Sequence, residues 1–231
     1  MTTTLVTGAN KGLGRETARQ LIAHGHTVYL GSRDPGRGAR AAAELGAVAL
    51  TVDVTDDASV AAAAERLHAE VGHLDVLVNN AGITGGPVPT AELSAGHLLR
   101  VYDTNVFGVV RMTTAFLPLL EKSGAPVIVN VSSGMGSLGV TTDPSRLEST
   151  VVSLAYPSSK SAVNMLTSMY AKAYPGMRVN CVDPGYTATD LNHHQGTQSI
   201  EEGATAIVAM SLVQPDGPTG TFVDRFGTVP W

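Results

Sequence analysis

The stretch TLVTGANKGLG at residues 4–14 decides the fold of this chain, because it joins a short apolar strand to a glycine-rich turn that opens a helix. Gly8, Gly12 and Gly14 follow the spacing G-x-x-x-G-x-G. Glycine lets the backbone approach a ligand closely, and the N–H groups of a helix N-terminus attract anions. The stretch therefore predicts a pyrophosphate site, with a glycine turn that binds nothing as the alternative. A P-loop is excluded, since Gly-Lys-Ser/Thr does not occur.

Short apolar runs alternate with helical stretches along the whole chain, which is the βαβ pattern of a parallel sheet covered on both faces. The predicted strands are Thr4–Thr7, Thr27–Ser32, Ala47–Val52, Leu74–Asn79, Pro126–Val131, Met177–Val182 and Thr221–Val223. The predicted helices are Gly12–His24, Arg37–Leu45, Asp56–Val71, Ser94–Leu120, Ala155–Tyr174 and Ile200–Leu212. We expect an α/β fold of the Rossmann type: a doubly wound, mostly parallel, seven-stranded sheet with helices on both faces.

The composition fits one domain over residues 1–231, since 43% of the residues are hydrophobic and 15% are charged. A net charge of −5 and a pI of about 5.8, without a long Lys/Arg run, argue against nucleic acid or a membrane as partner. The lone Cys181 has no partner for a disulfide, and His193 and His194 have no nearby third ligand, so no metal is expected. The chain starts directly with a strand and holds no membrane-spanning apolar run, which favours a cytoplasmic protein.

The end of the second strand carries Ser32, Arg33 and Asp34. Asp34 lies 20 residues after Gly14, a spacing that by itself suggests a ribose hydroxyl and NAD(H). We favour NADP(H), because the hydroxyl of Ser32 and the cations of Arg33 and Lys11 suit a 2′-phosphate. The alternative for both cations is solvated surface charge.

Polar residues also follow the third and fourth strands. Asp53 could accept from an adenine amino group, with Val54 as an apolar contact, or it could cap the helix that begins near Asp56; the two are equally supported. After the fourth strand, the amide of Asn80 could tie strand ends together or belong to a plain turn, and Gly82 would let the backbone approach a cofactor.

Tyr156 and Lys160 lie four residues apart and so share one face of a helix. An ammonium beside a phenol favours the ionised phenol, which makes the tyrosine a usable acid near neutral pH. The pair alone is a weak signal, but only Tyr156 among the tyrosines has a lysine at this offset.

These motifs together resemble the short-chain dehydrogenase/reductase family, and in particular its carbonyl-reductase branch, over nearly the whole chain. The resemblance rests on Thr7-Gly8-x-x-x-Gly12-x-Gly14, Asp53-Val54, Asn79-Asn80-Ala81-Gly82, Asn105, Ser133, Tyr156-x-x-x-Lys160 and Pro184-Gly185. It implies that Tyr156 is the acid/base and that Lys160 binds the nicotinamide ribose and lowers the phenol pKa. It also implies that Ser133 orients the substrate oxygen and that Asn105 anchors a water-linked proton relay.

The family pattern Ser-x-x-Gly selects Ser133 over Ser132 through Gly136, so Ser132 should point to the opposite face. After the sixth strand, the Thr187 backbone and the Thr189 hydroxyl would hold the carboxamide and phosphates; the alternative is a bare turn. The expected cofactor-binding residues are Gly8, Asn10, Lys11, Gly12, Leu13, Gly14, Ser32, Arg33, Asp53, Val54, Asn80, Ala81, Gly82, Tyr156, Lys160, Pro184, Gly185, Thr187 and Thr189.

Two long loops are expected at the site, an insertion at about residues 134–153 and a substrate loop at about 185–199. Ser133 and Tyr156 are 23 residues apart, a wider spacing than is common in the family. An insertion here can cover the helix faces that many relatives use for tetramers, so we expect a monomer or a homodimer. The alternative is a mobile excursion that leaves those faces free.

The expected activity is the NADP(H)-dependent interconversion of a carbonyl (ketone, aldehyde or quinone) and an alcohol. The alternatives are an NADPH-binding redox sensor without turnover, and an epimerase or dehydratase, which usually carries a further C-terminal substrate domain. The expected substrate is a small molecule. Six residues could line a mainly apolar pocket for it, or they could equally belong to the core: Met135, Leu138, Val140, Leu154, Tyr186 and Leu191.

Overall fold

One eight-stranded sheet runs through the protein in the computed structural model, which describes residues 2–231. The strands are β1 Thr3–Val6, β2 Thr27–Ser32, β3 Val48–Thr51, β4 Val76–Asn79, β5 Val127–Val131, β6 Arg178–Val182, β7 Phe222–Asp224 and β8 Gly227–Thr228. Their order is β3-β2-β1-β4-β5-β6-β7-β8, and every pair is parallel except β7 with β8. The sequence predicted seven strands, and the two-residue β8 is the eighth.

Eight α-helices lie along the described chain: α1 Gly12–Ala23, α2 Pro35–Leu45, α3 Asp57–Glu70, α4 Ala95–Tyr102, α5 Gly108–Leu120, α6 Leu138–Thr141, α7 Ala155–Ala173 and α8 Ile200–Ser211. One core lies between the sheet and α3, α5 and α7, and contains Leu77 and Phe116. The other lies against α1, α2 and α8, and contains Val78 and Ile207. Neighbouring strand residues thus enter opposite cores, so the doubly wound α/β fold is confirmed.

The helix predicted over 94–120 is divided by a π-helical turn at Asp103–Phe107. Asn105 lies in this turn and is buried. This division was not predicted, because the whole stretch was interpreted as one helix. Such π turns occur frequently at functional sites.

The segment 134–153 contains short helices instead of the expected loop, and no strand. A 3₁₀ turn at Gly134–Gly136 is followed by α6 and by a second 3₁₀ turn at Leu147–Thr150. The Gly136 carbonyl accepts hydrogen bonds from Ser161 and Asn164 of α7, at 2.8 and 3.1 Å. The segment therefore packs on the N-terminal half of α7.

Gly136 leaves no room for a side chain at this contact. An added Cβ would lie 2.7 Å from the Lys160 backbone and 2.9 Å from the Ser161 nitrogen. Gly136→Ala should therefore lower the free energy of unfolding by about 1–3 kcal/mol, as overpacking does. Gly124→Ala is the control, because nothing lies within 4 Å of its added Cβ. Urea denaturation checks both, and equal stability of the two variants would contradict the packing.

Candidate functional site

The glycine turn after β1 leaves the start of α1 accessible. Gly8 and Gly12 have φ of 64° and 56°, which side chains rarely adopt. Lys11 precedes α1 but makes no side-chain capping bond, so it does not occupy the N–H groups of the first turn. These N–H groups form a place for a pyrophosphate, as the sequence predicted.

Hydrogen bonds between Thr7 and Asn80 hold the glycine turn to the end of β4. The Thr7 Oγ1 accepts from the N–H groups of Asn80 and Ala81 at 2.9 and 3.0 Å, and the Asn80 Nδ2 donates to the Thr7 carbonyl at 2.8 Å. Asn80 therefore ties strand ends together. Thr7 was not predicted as a site residue, although it directly precedes the first glycine.

Asp34 and Ser32 are both engaged at the end of β2. Asp34 caps α2 by accepting from the Arg37 N–H at 2.9 Å, and the buried Ser32 hydroxyl donates to the Asp34 carbonyl at 2.9 Å. Arg33 is exposed. Lys11 is paired with Asp190 at 2.7 Å, so it links the glycine turn to the loop after β6.

Asp53 does not cap the helix after β3. Its Oδ1 accepts from the Thr55 backbone and hydroxyl at 3.0 and 2.7 Å, whereas Asp56 accepts from the Ala58 N–H and caps α3. The capping alternative for Asp53 is therefore wrong. The adjacent Val54 is buried, and an added Cβ on Gly108 would lie 3.0 Å from its side chain.

A buried ammonium lies below Tyr156. Lys160 is 4% exposed, its Nζ donates to the Val131 carbonyl at 2.8 Å, and it lies 5.6 Å from the centroid of the Tyr156 ring. Burial lowers the pKa of Lys160 to about 8. The ammonium is therefore close to losing its proton near neutral pH.

The phenol of Tyr156 does not titrate near neutral pH in the free protein. Burial raises its pKa to about 12, a hydrogen bond with Ser133 lowers it, and the carboxylate of Asp183 raises it. Desolvation of the phenolate is the largest cause, and Lys160 is not among the groups that shift this pKa, so the lowering expected from Lys160 is not found in the free protein. The phenol is a proton donor in this state.

Ser133, and not Ser132, contacts Tyr156. Ser132 donates to the Asn164 Oδ1 at 2.6 Å inside the protein, whereas the Ser133 Oγ accepts from the Met135 N–H at 3.2 Å and bonds to Tyr156. The structure thus brings Ser133, Tyr156 and Lys160 together at the end of β5.

Asn105 fixes the backbone beside this cluster. Its Oδ1 accepts from the Ile83 N–H, and its Nδ2 donates to the Ile83 carbonyl, both at 2.9 Å, and to the Ser159 Oγ at 3.0 Å. The side chain therefore connects the π turn, the loop after β4 and α7.

Gly82 keeps the space between Asn105 and Lys160 open. An added Cβ would lie 3.5 Å from the Asn105 Oδ1 and 3.6 Å from the Lys160 Nζ. Together with the accessible N–H groups at α1, this open space fits a dinucleotide lying across the carboxyl ends of the strands. The residues present therefore fit the cofactor that the motifs predict.

The turn after β6 is held by groups that the sequence analysis did not single out. Gly185 has φ of 72°, and the Thr187 hydroxyl donates to the Pro184 carbonyl at 3.0 Å. Gln198 donates to the Thr187 Oγ1 at 2.8 Å, and the Asn192 Oδ1 accepts from the Thr189 N–H at 3.2 Å. Both amides come from later in the loop, so no local pattern marks them.

The proposed pocket residues divide into three groups, one of which is the partly buried Met135 alone. Leu138, Leu154, Tyr186 and Leu191 are between 41% and 72% exposed, which leaves apolar surface at the site. Val140 is 3% exposed and packs in the core with Phe222, so it is not a pocket residue. Within residues 2–231, no cluster of three His, Cys, Asp or Glu could hold a metal ion, and no helix is long and apolar enough to cross a membrane.

The family model described as short chain dehydrogenase matches residues 2–199. The chain is 36% identical over 282 residues to (+)-neomenthol dehydrogenase of Arabidopsis thaliana, covering 96% of this chain and 95% of that protein. The alignment is longer than this chain of 231 residues, so the relative carries segments that this chain lacks.

Solved structures agree with this match. Salutaridine reductase from Papaver somniferum superposes with a TM-score of 0.85 at 29% identity, over 96% of this chain and 99% of that one. The NADPH-bound carbonyl reductase from chicken fatty liver gives a TM-score of 0.87 at 28% identity, over 99% and 98% of the two chains.

Burial of Lys160 should cost stability in the free protein. A cation whose pKa falls to about 8 is unfavourable in the folded state wherever it is protonated. Lys160→Met should therefore raise the free energy of unfolding below pH 8 by about 1–3 kcal/mol, after allowing for the lost bond to Val131. This gain in stability should shrink as the pH rises from 8 to 10.5, because Lys160 loses its proton near pH 8 in the folded protein and near pH 10.5 in the unfolded chain.

Urea denaturation at several pH values measures this effect. Lys172→Met is the control, because Lys172 is an exposed lysine of the same helix and its replacement should leave stability nearly unchanged. A Lys160→Met protein that is less stable than the parent at pH 6 would refute the assignment of a destabilising ammonium.

Proposed function

Since this chain belongs to the short-chain dehydrogenase/reductase family and is an oxidoreductase, we propose that it uses NADP(H) to interconvert a carbonyl and an alcohol, with Tyr156 as the acid/base. The observation that carries the proposal is the contact of Ser133 with Tyr156 above the buried Lys160. A neutral phenol at this position is a donor for a carbonyl oxygen.

The protein groups would divide the work as follows. When bound, the nicotinamide would supply the hydride that the carbonyl carbon takes up. Tyr156 gives its proton to the carbonyl oxygen, so that an alcohol leaves, and Ser133 holds that oxygen in line. Lys160 would bind the nicotinamide ribose and stabilise the phenolate left on Tyr156, since an ammonium favours a nearby anion. Asn105 would support this arrangement through the backbone of Ile83 and would anchor the proton relay.

The charges near β2 support NADP(H) over NAD(H). Arg33 is exposed and lies close enough to Asp53 to lower the pKa of that carboxyl, whereas Asp34 is occupied in capping α2 and pairing with Arg37. Lys11 would exchange its exposed pairing with Asp190 for a phosphate, and such exposed pairs cost little to break. Guanidinium and phosphate groups form strong charge-assisted bonds.

The apolar side chains at the site suit an apolar ketone, aldehyde or quinone. Leu138, Leu154, Tyr186 and Leu191 offer no charge to an anionic substrate. The relatives named (+)-neomenthol dehydrogenase and salutaridine reductase support carbonyl compounds related to neomenthol and salutaridine as candidate substrates for this chain. NADPH oxidation measured against a panel of such carbonyls, with acidic ones for comparison, tests the class.

A monomer or a homodimer is the assembly we propose. The segment 134–153 contacts α7 where the Gly136 carbonyl accepts from Ser161 and Asn164, which removes this part of the helix surface from contact with a second chain.

Tyr156→Phe should remove nearly all turnover while leaving the affinity for NADPH within about twofold, because only the proton donor is lost. Tyr170→Phe is the matched control, since it makes the same change on α7 outside the site. Steady-state turnover and NADPH fluorescence titration measure the two effects. If Tyr156→Phe turned over the carbonyl at the parent rate, the acid/base role would be wrong. Parent protein that binds NADPH but reduces none of the panel would favour the redox-sensor alternative.

Arg33→Ala should weaken NADPH binding roughly tenfold or more and change NADH binding little, because a charge-assisted hydrogen bond contributes about 1.5–3 kcal/mol. Arg66→Ala is the control, as it removes an exposed guanidinium from α3. Calorimetric titration with both cofactors gives the ratio. Parent protein with equal affinity for the two cofactors would contradict the preference for NADP(H).

A further inference from the structure

Asp183 is a buried carboxylate that has no part in the roles described above. It follows β6 directly and is 6% exposed. Its Oδ1 accepts from the Gly185 N–H at 2.9 Å. On its other side lies Gly134, whose N–H also interacts with the carboxylate, and a Cβ added to Gly134 would lie 2.9 Å from the Oδ2.

The two turns that Asp183 contacts carry different parts of the site. Gly134 follows Ser133, which bonds to Tyr156, and Gly185 begins the turn that leads to Thr187. We propose that Asp183 is a positioning residue that clamps the turn of Ser133 to the turn of Gly185. The clamp sets the position of the substrate-orienting hydroxyl relative to the nicotinamide. Its effect on catalysis rests on the function proposed above.

The clamp also brings a negative charge close to the reacting groups. The charged and titratable groups that face Asp183 come from the inserted segment, β7, α7 and β6: Arg146, Glu148, Asp224, Tyr156, Lys160 and Cys181. The carboxylate raises the pKa of Tyr156 and of Lys160. It therefore opposes formation of the phenolate and keeps Lys160 protonated.

Burial of this carboxylate is costly, which argues against a role in stability alone. Desolvation raises the pKa of Asp183, the N–H groups of Gly185 and Gly134 lower it, and Glu148 and Asp224 raise it. When folding raises the pKa of a carboxyl, the protein loses stability as the pH rises through that pKa. Wherever Asp183 is ionised, the protein carries this cost at a position where a neutral residue would avoid it.

Asp183→Asn tests the clamp, because an amide has a single acceptor oxygen and cannot accept for both turns. Hydrogen exchange at the Gly134 and Gly185 amides should become faster. The kcat should fall roughly tenfold or more, as it does when reacting groups are misplaced. The rising limb of the pH profile for alcohol oxidation should move down by about one unit, since the charge that opposes phenolate formation is gone.

Asp75→Asn is the matched control. Asp75 accepts from the Thr3 N–H at 2.7 Å and from the Ser123 hydroxyl at 2.6 Å, at the opposite end of the sheet. Its replacement should lower the free energy of unfolding but leave the rising limb of the pH profile for alcohol oxidation at the same pH. A role of Asp183 in stability alone would make the two variants behave alike.

Unchanged exchange at Gly134 and Gly185 in Asp183→Asn, or an unmoved pH limb, would overturn the proposal. If Asp183→Asn does not fold, Gly134→Ala gives a second test. The added Cβ of this variant would push the Asp183 Oδ2 away, and kcat should fall similarly. If the parent turned over no carbonyl or alcohol, the proposed function would fail, whereas hydrogen exchange would still decide the clamp.

Discussion

The hydrogen bond from the buried ammonium of Lys160 to the Val131 carbonyl joins α7 to the end of β5, and the arrangement of the site depends on it. It holds the first turn of α7, where Tyr156 lies, beside Ser133. The Lys160 backbone also packs against Gly136, so the inserted segment is placed by the same residue. Because water is excluded, the ammonium needs this carbonyl as a partner. The cost in stability of burying it comes from a residue to which the proposed reaction assigns a role.

Buried amides extend this attachment below the site. Asn79 donates to Asn130, which donates to the Thr167 hydroxyl, each at 2.9 Å, so that β4, β5 and α7 are connected in one row. In parallel, Asn164 accepts from Ser132 and from the Cys181 thiol, which connects α7 to β5 and β6. Buried polar groups are costly unless they are paired, and a shift of α7 along the sheet would break these pairs. The hydrogen bonds therefore favour one register of α7 on the sheet.

The sequence predicted what depends on local pattern. Apolar runs located the seven parallel strands of the fold, and the glycine spacing located the turn before α1. It could not predict the side-chain partners that tertiary contacts decide, such as Asn192 and Gln198 around Thr187. The upward shift in the pKa of Tyr156 was not predicted either. The spacing of Tyr156 and Lys160 can be seen in the sequence, but the desolvation that raises this pKa depends on the whole fold. Likewise, the sequence left open whether Asp53 contacts an adenine or caps α3, and only the backbone path shows that Asp56 is the cap.

The π turn at Asp103–Phe107 has the same effect as one extra residue inserted in a continuous α-helix. Each residue of an α-helix turns the chain by about 100°, so α4 and α5 are out of phase with each other. The phase difference lets α5 keep its apolar face on the sheet while Asn105 turns towards Ile83. Loss of one residue from this turn would restore a regular helix. The apolar face of α5 and the side chain of Asn105 could then no longer both keep their present directions, so the length of the chain at this point matters as much as residue identity.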